Sequence, residues 1–159
     1  MSSNIINLLW ESFLETILMV GVSGGLGAAI GIPLGVFLFV TSPKGIMPKP
    51  YVNRIIGTVV NAVRSTPFII LLVAIIPFTR LIVGSSIGTV AAIIPLTIAA
   101  APLIARLVET SLREVDKGLI EAAQSMGATN TQIICKVLLP EAMPGILAGL
   151  TIAFVALVG

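Results

Sequence analysis

The segment 16–43, TILMVGVSGGLGAAIGIPLGVFLFVTSP, contains no charged residue and decides the class of fold. A helix of about 20 apolar residues crosses about 30 Å of hydrocarbon, so this segment is long enough to span a membrane. The rest of the chain agrees, because 57% of its 159 residues are hydrophobic and only 10% are charged. Soluble domains carry roughly 25% charged residues. The sequence therefore predicts an all-α integral membrane protein.

Three further apolar segments are long enough to cross a membrane. Residues 55–79 contain Arg64 as their only charged side chain, while residues 81–105 and 142–159 contain none. We predict a single transmembrane domain over residues 1–159, with a polar loop over residues 107–141. Its four spans are expected at about 14–42, 55–79, 81–105 and 143–159. The last span is expected to be cut short or only just complete.

The placement of lysine and arginine predicts the orientation of the spans. The first 43 residues contain neither, and the turn after the second span contains only Arg80. The loops after the first and third spans contain most of the others: Lys44, Lys49, Arg54, Arg106, Arg113, Lys117 and Lys136. Loops rich in basic residues stay in the cytoplasm. We therefore expect the N-terminus outside the cell and the loop 107–141 inside.

Composition also excludes several classes of function. The chain has no histidine and only one cysteine, Cys135, so it cannot build an internal disulfide or a His/Cys metal cluster. A net charge of +2 is too small for a nucleic-acid partner. No lysine follows the glycine pattern of a phosphate-binding loop. We predict no catalytic residue, no metal site and no cofactor.

The loop 107–141 carries the local signals of two short helices. Asp116 can cap a helix that starts at Lys117, and Gly127 can end it in the left-handed conformation. Leu119, Ala123 and Met126 are expected to share its apolar face, because they follow i, i+4, i+7 spacing. This first helix contains the sequence Glu121-Ala122-Ala123.

The second short helix is predicted to begin at Thr129. Gln132 stands three residues later, which is the capping-box pattern. Pro140 is expected to interrupt this helix, and Pro144 suits the first turn of the fourth span. Such a helix pair either enters a groove on another protein or lies as an amphipathic hairpin on the membrane.

Two features inside the spans leave alternatives open. Gly27, Gly31 and Gly35, preceded at similar spacing by Gly21 and Gly25, form a small-residue strip that suits packing within the chain or contact with a second copy. The sequence Arg64-Ser65-Thr66-Pro67 places a cation in an apolar segment, where a charge is costly unless it reaches the interface, a cavity or a partner. It is either interfacial and structural or part of a pathway or gate.

The loop resembles the EAA loop of the permease subunits of bacterial ABC importers. The matching positions keep the spacing of that motif: Glu121, Ala122, Ala123, Gly127, Val137, Leu139 and Pro140. The motif commonly has isoleucine where this sequence has Val137. Residues 64–73 resemble the second span of amino-acid permeases. The segments 76–84 and 92–97 resemble methionine importer permeases, and the likeness extends over nearly the whole chain.

The resemblance implies a type I ABC importer permease in a bacterial inner membrane. Such permeases pair with a second copy, two cytosolic ATPase subunits and an extracytoplasmic substrate-binding lipoprotein. The implied contacts to the ATPase are Glu121, Ala122, Ala123, Gly127, Leu139 and Pro140. Methionine is the implied substrate, in its L or D form. Family members continue with a glycine-rich segment and another membrane helix beyond the position of Gly159, so we expect this chain to lack the C-terminal part of the family domain.

Two other functions remain open at this point. The chain could carry another small solute, such as another amino acid or glycine betaine. It could also be a membrane scaffold that uses the loop to hold a partner. Co-purification with an ATPase distinguishes a permease from a scaffold.

Overall fold

The computed structural model describes residues 2–158, and all regular structure in that part of the chain is helical. The prediction of an all-α fold is therefore confirmed for these residues. The helices are α1 (Ser2–Thr41), α2 (Pro50–Ser65), α3 (Phe68–Val83), α4 (Thr89–Arg113), α5 (Lys117–Ser125), α6 (Asn130–Ile133) and α7 (Leu139–Val158). A π-helical turn, Ile134–Leu138, joins α6 to α7.

Three helical stretches among the described residues are long and apolar enough to cross a membrane: Ile5–Thr41, Thr89–Arg113 and Asn130–Val158. A fourth crossing exists if α2 and α3 together count as one. The first stretch has 37 residues, which is about 55 Å at 1.5 Å per residue. It therefore begins well before the predicted span 14–42 and exceeds the roughly 30 Å thickness of hydrocarbon.

The segment 55–79, predicted as one span, is broken into two helices. α2 ends at Ser65, α3 begins at Phe68, and the two are bent by 109°. Pro67 explains the break, because its ring cannot donate a backbone hydrogen bond and disfavours helical geometry in the residue before it. Thr66 is accordingly extended, with ψ 125°. The predicted span is therefore not one continuous helix, although the bent pair can still count as one crossing.

The next helix also differs from the predicted span 81–105. Residues 81–83 complete α3, and Gly84 ends it in the left-handed conformation with φ 79°. α4 begins only at Thr89 and continues to Arg113, so residues 107–113 are helical rather than part of the loop. The predicted boundaries followed charged residues, whereas the helix ends follow backbone geometry and packing.

Small residues let α1 and α4 approach closely. Gly27, Gly31 and Gly35 are buried along this contact. A Cβ at Gly31 would lie 2.7 Å from the backbone oxygen of Ala101, and one at Gly35 would lie 2.5 Å from that of Ala105. These three glycines therefore pack within one chain. Two earlier glycines of the strip have no atom within 4 Å of such a Cβ: Gly21 and Gly25.

The apolar core lies between α1, α4 and α7. Leu38 of α1, Ile104 of α4 and Ala153 of α7 are fully buried. Ile133, just before the π-helical turn, and Leu138, its last residue, are fully buried as well. The short helices are therefore attached to the same core as the long ones, because their own apolar residues complete it.

Candidate functional site

The first short helix, α5, begins and ends as its sequence predicts. The Asp116 carboxylate accepts a hydrogen bond of 2.8 Å from the backbone N–H of Gly118. At the other end Gly127 has φ 77°, and its N–H donates to the carbonyl of Gln124 at 3.0 Å. The N–H of Ala128 donates to the carbonyl of Ala123 at 3.1 Å. These two bonds form a Schellman motif, which fixes the direction of the chain after α5.

The second short helix starts with the predicted capping box. The N–H of Thr129 donates to Oε1 of Gln132 at 2.9 Å, and Oγ1 of Thr129 accepts from the N–H of Gln132 at 3.4 Å. These reciprocal bonds satisfy backbone donors that the first turn of a helix leaves free. The Gly127 turn and the capping box together set the angle between the two short helices. We call residues 116–140 the short-helix segment.

The predicted interruption at Pro140 does not occur. The chain continues through the π-helical turn into α7, and the N–H of Leu139 donates to the carbonyl of Ile134, five residues earlier. A proline ring clashes with the carbonyl four residues before it in a regular α-helix, and the wider turn relieves this crowding. Since α7 starts at Leu139, Pro144 lies beyond the first turn, where it had been expected.

The motif positions of the short-helix segment face in two directions. Glu121, Ala122 and Gly127 are exposed, and so is Pro140. Two others are partly buried against the core: Ala123 and Leu139. A partner can therefore reach the exposed positions, while the partly buried ones attach the segment to the core.

The apolar face predicted for α5 needs a correction. Leu119 and Met126, which were expected to share it, are 42% and 87% exposed. Ile120 and Ala123 contact the core instead. Met126 follows the last residue of α5, so helical spacing no longer describes where its side chain points.

Glu121 lines a small cleft between α5 and the loop after α1 that has both polar and apolar walls. The cleft has a volume of about 210 Å³, and Lys44, Lys117 and Gln124 also line it. Among the described residues, Glu121 has no ion pair within 4.0 Å. Its carboxylate is therefore free to accept hydrogen bonds from a partner.

The sequence Arg64-Ser65-Thr66-Pro67 lies at the bend between α2 and α3, away from the short-helix segment. Arg64 is exposed. Oγ of Ser65 donates to the carbonyl of Asn61 at 2.7 Å, and Oγ1 of Thr66 donates to that of Ala62 at 2.9 Å. These bonds close the end of α2. Immediately after the bend, Phe68 borders an apolar cavity of about 430 Å³ between α3, α4 and α7.

An ionic cluster around the buried Glu109, near the end of α4, is absent from the sequence-based predictions. Glu109 accepts hydrogen bonds from Nη1 of Arg106 at 2.5 Å and from Nη2 of Arg113 at 2.6 Å. Nη2 of Arg106 also donates to the carbonyl of Gly57 in α2 at 3.0 Å. Spacings of three and four residues on a helix could have indicated this cluster. They were missed because residues from 107 onward were assigned to a loop.

The chain matches a known family of membrane proteins. The model of the family described as "binding-protein-dependent transport system inner membrane component" matches residues 27–159. This match extends over far more than half of the chain and includes the whole short-helix segment.

Two relatives are similar over nearly the entire chain. The chain is 57% identical over 152 residues to the probable D-methionine transport system permease protein MetI of Vibrio cholerae, covering 96% of this chain and 68% of that protein. It is 54% identical over 159 residues to the D-methionine transport system permease protein MetI of Escherichia coli strain K12. That alignment covers 100% of this chain and 73% of the relative.

Solved structures agree with this relationship. The chain superposes on a chain of the inward-facing MetNI methionine ABC transporter with a TM-score of 0.97 and 53% sequence identity. The superposition covers 100% of this chain and 74% of that chain. A crystal structure of an amino acid ABC transporter with histidines superposes with a TM-score of 0.65 at 22% identity, a likeness of fold alone.

Proposed function

Since this chain belongs to the family of binding-protein-dependent transport system inner membrane components, we propose that it forms the membrane pathway of an importer for methionine. It is a multi-pass membrane protein and a permease subunit of an ABC transporter. The observation that carries the substrate assignment is the 54–57% identity, over nearly the whole chain, to permeases named for D-methionine.

The energy for transport comes from separate ATPase subunits in this proposal. Two permease copies would form the pathway between them, and an extracytoplasmic lipoprotein would deliver the substrate. ATP binding would draw the two ATPases together and move the short-helix segments they hold. The long helices would then rock from an inward-open to an outward-open arrangement, as in other alternating-access transporters.

The short-helix segment is the proposed contact with the ATPase. It offers an exposed carboxylate at Glu121 beside the small side chain of Ala122, so a partner surface can approach the backbone of α5 closely. The capping bonds at Asp116 and Thr129 stabilise the starts of its two short helices. A segment that is attached to the core transmits a push to α4 and α7 instead of absorbing it.

The short-helix segment must face the cytoplasm for this contact, and the N-terminus of α1 then lies outside. The supporting observation is that the basic residues concentrate at this side of the chain, which is the expected pattern for cytoplasmic segments. We assign the protein to the bacterial inner membrane because its family is described as an inner membrane component of transport systems. Thiol labelling of the exposed Cys135 in intact and opened cells tests the orientation, since only opened cells should react.

The bend between α2 and α3 is the proposed pathway or gate region. Broken helices at membrane depth are tolerated where protein or a wet cavity satisfies the free backbone groups, and transporters often use them at substrate sites. Arg64 is exposed near the break, and the apolar cavity begins at Phe68 just after it. Ser65, Thr66 and Pro67 shape the bend through the bonds described above.

Uptake into proteoliposomes tests the function. The full-length permease is reconstituted with its ATPase and binding protein, and labelled L- and D-methionine are supplied on the side of the binding protein. We expect accumulation that requires ATP inside the vesicles, with glycine betaine and histidine as comparison solutes. If one of those solutes accumulates and neither form of methionine does, the substrate assignment is wrong.

A further inference from the structure

Glu109 is a buried carboxylate on the helix that leads into the short-helix segment. It is 3% exposed and lies one turn before Arg113, the last residue of α4. A buried charge is costly unless it is paired and hydrogen-bonded. Glu109 meets this requirement with two guanidinium groups, from Arg106 and from Arg113.

Arg106 extends this cluster to a different helix. Its Nη1 binds Glu109, while its Nη2 binds the backbone carbonyl of Gly57 in α2. A Cβ at Gly57 would lie 3.3 Å from this Nη2, so the guanidinium and the backbone of α2 are in close contact. The Nε atom of Arg106 is buried and has no hydrogen-bond partner among the described residues. The guanidinium is thus held between the two helices at the cost of one unsatisfied donor.

Stability alone is a poor reason for such an arrangement. Apolar residues of similar volume often stabilise a core as well as a buried ion pair does, or better. A planar guanidinium, however, fixes the relative position of its two partners through directional bonds. The cluster is therefore better suited to hold α4 and α2 in register than to strengthen the core.

The cluster joins two helices that lead to different functional regions. α4 leads through the buried Val115 into α5 of the short-helix segment. α2 leads to the bend at Thr66. We propose that Arg106 and Glu109 are positioning residues that transmit movement of the short-helix segment to α2 and thus to the bend. This inference rests on the proposed function of the segment as the contact with an ATPase.

The central test compares conservative variants in the reconstituted full-length transporter. Arg106→Lys keeps a positive charge next to Glu109 but loses the fork that reaches both Glu109 and Gly57. We expect methionine uptake per ATP hydrolysed to fall about fivefold or more, the low end of coupling between distant sites. Co-purification of the ATPase and the melting temperature should stay close to wild type. Glu109→Gln should lower the same ratio.

Two comparison variants show whether the effect is specific to the link with α2. Arg113→Lys alters the other partner of Glu109. Among the described residues, Arg113 makes no hydrogen bond to α2, so uptake per ATP hydrolysed should fall less in this variant than in Arg106→Lys. Glu114→Gln changes an exposed carboxylate next to the cluster and should behave as wild type. An unchanged uptake-to-ATP ratio in Arg106→Lys overturns the proposal. So does a joint loss of stability and ATPase binding, which indicates a structural role only.

A second readout needs no substrate. Spin labels are attached through Val59→Cys on α2 and Met126→Cys at the end of α5, two exposed positions, in a Cys135→Ser background. Labelled permease is diluted with an excess of unlabelled copies, so that the distance within one chain is measured. We expect one narrow distance with and without ATP, and a broader or shifted distribution on ATP addition when Arg106→Lys is included. An unchanged distribution in that variant contradicts the linkage. Failure of wild-type protein to take up methionine, with this distance result intact, would instead contradict the substrate assignment.

Discussion

Replacing Gly35 by alanine should separate α1 from α4 and destabilise the protein. A Cβ at this position would lie 2.5 Å from the carbonyl oxygen of Ala105 and 2.7 Å from Cβ of Val108. Ordinary contact begins at 3.4 Å, so the helices must move apart by roughly 0.9 Å. A gap of that size forfeits a quarter to a half of the attraction between neighbouring atoms. Overpacking of this kind costs about 1–3 kcal/mol.

The matched control is Gly25→Ala on the same helix. A Cβ there has no atom within 4 Å, and alanine is a better helix former than glycine by about 0.8–1.0 kcal/mol. The free energy of unfolding is measured for both variants in the same detergent, after size-exclusion chromatography has shown the same assembly as wild type. Gly35→Ala should be less stable than wild type, and Gly25→Ala should not. Equal stability of the two variants would refute the close-packing argument, and a loss at Gly25 alone would indicate a contact with a second copy.

Three further changes test the short-helix segment. Glu121→Lys should weaken co-purification of the ATPase subunit, because it reverses the charge of an exposed carboxylate. Glu11→Lys in α1 should not weaken it. Equal yields of ATPase with the two variants would show that Glu121 is not part of the contact. Gly127→Ala should lower the local stability of α5 by about 1–2 kcal/mol, because a residue with a Cβ is strained at φ 77°. We expect faster amide exchange in α5, and unchanged exchange would argue against the left-handed turn. Asp116→Ala should cost about 0.5–2 kcal/mol in the same assay, while Asp116→Asn, which keeps the cap, should lose little.

Much of the short-helix segment could be predicted because its signals are local. A cap at Asp116, a turn at Gly127 and a capping box at Thr129 each depend on residues within four positions. The predicted interruption at Pro140 failed because a proline can also be accommodated by a widened turn before it. Which response the chain adopts depends on the packing of Ile133 and Leu138, and that is not a local property.

The helical, membrane-spanning character of this protein was determined by the sequence alone. An uncharged run such as 16–43 can satisfy its own backbone in lipid as a helix, because all of its hydrogen bonds then stay within the segment. The tertiary structure alone decided that Gly35 faces Ala105, that α2 and α3 meet at 109°, and that Arg106 joins Glu109 to Gly57. Gly57 and Arg106 are 49 positions apart. Their contact exists because packed helices bring them together, and no pattern of neighbouring residues in the sequence predicts it.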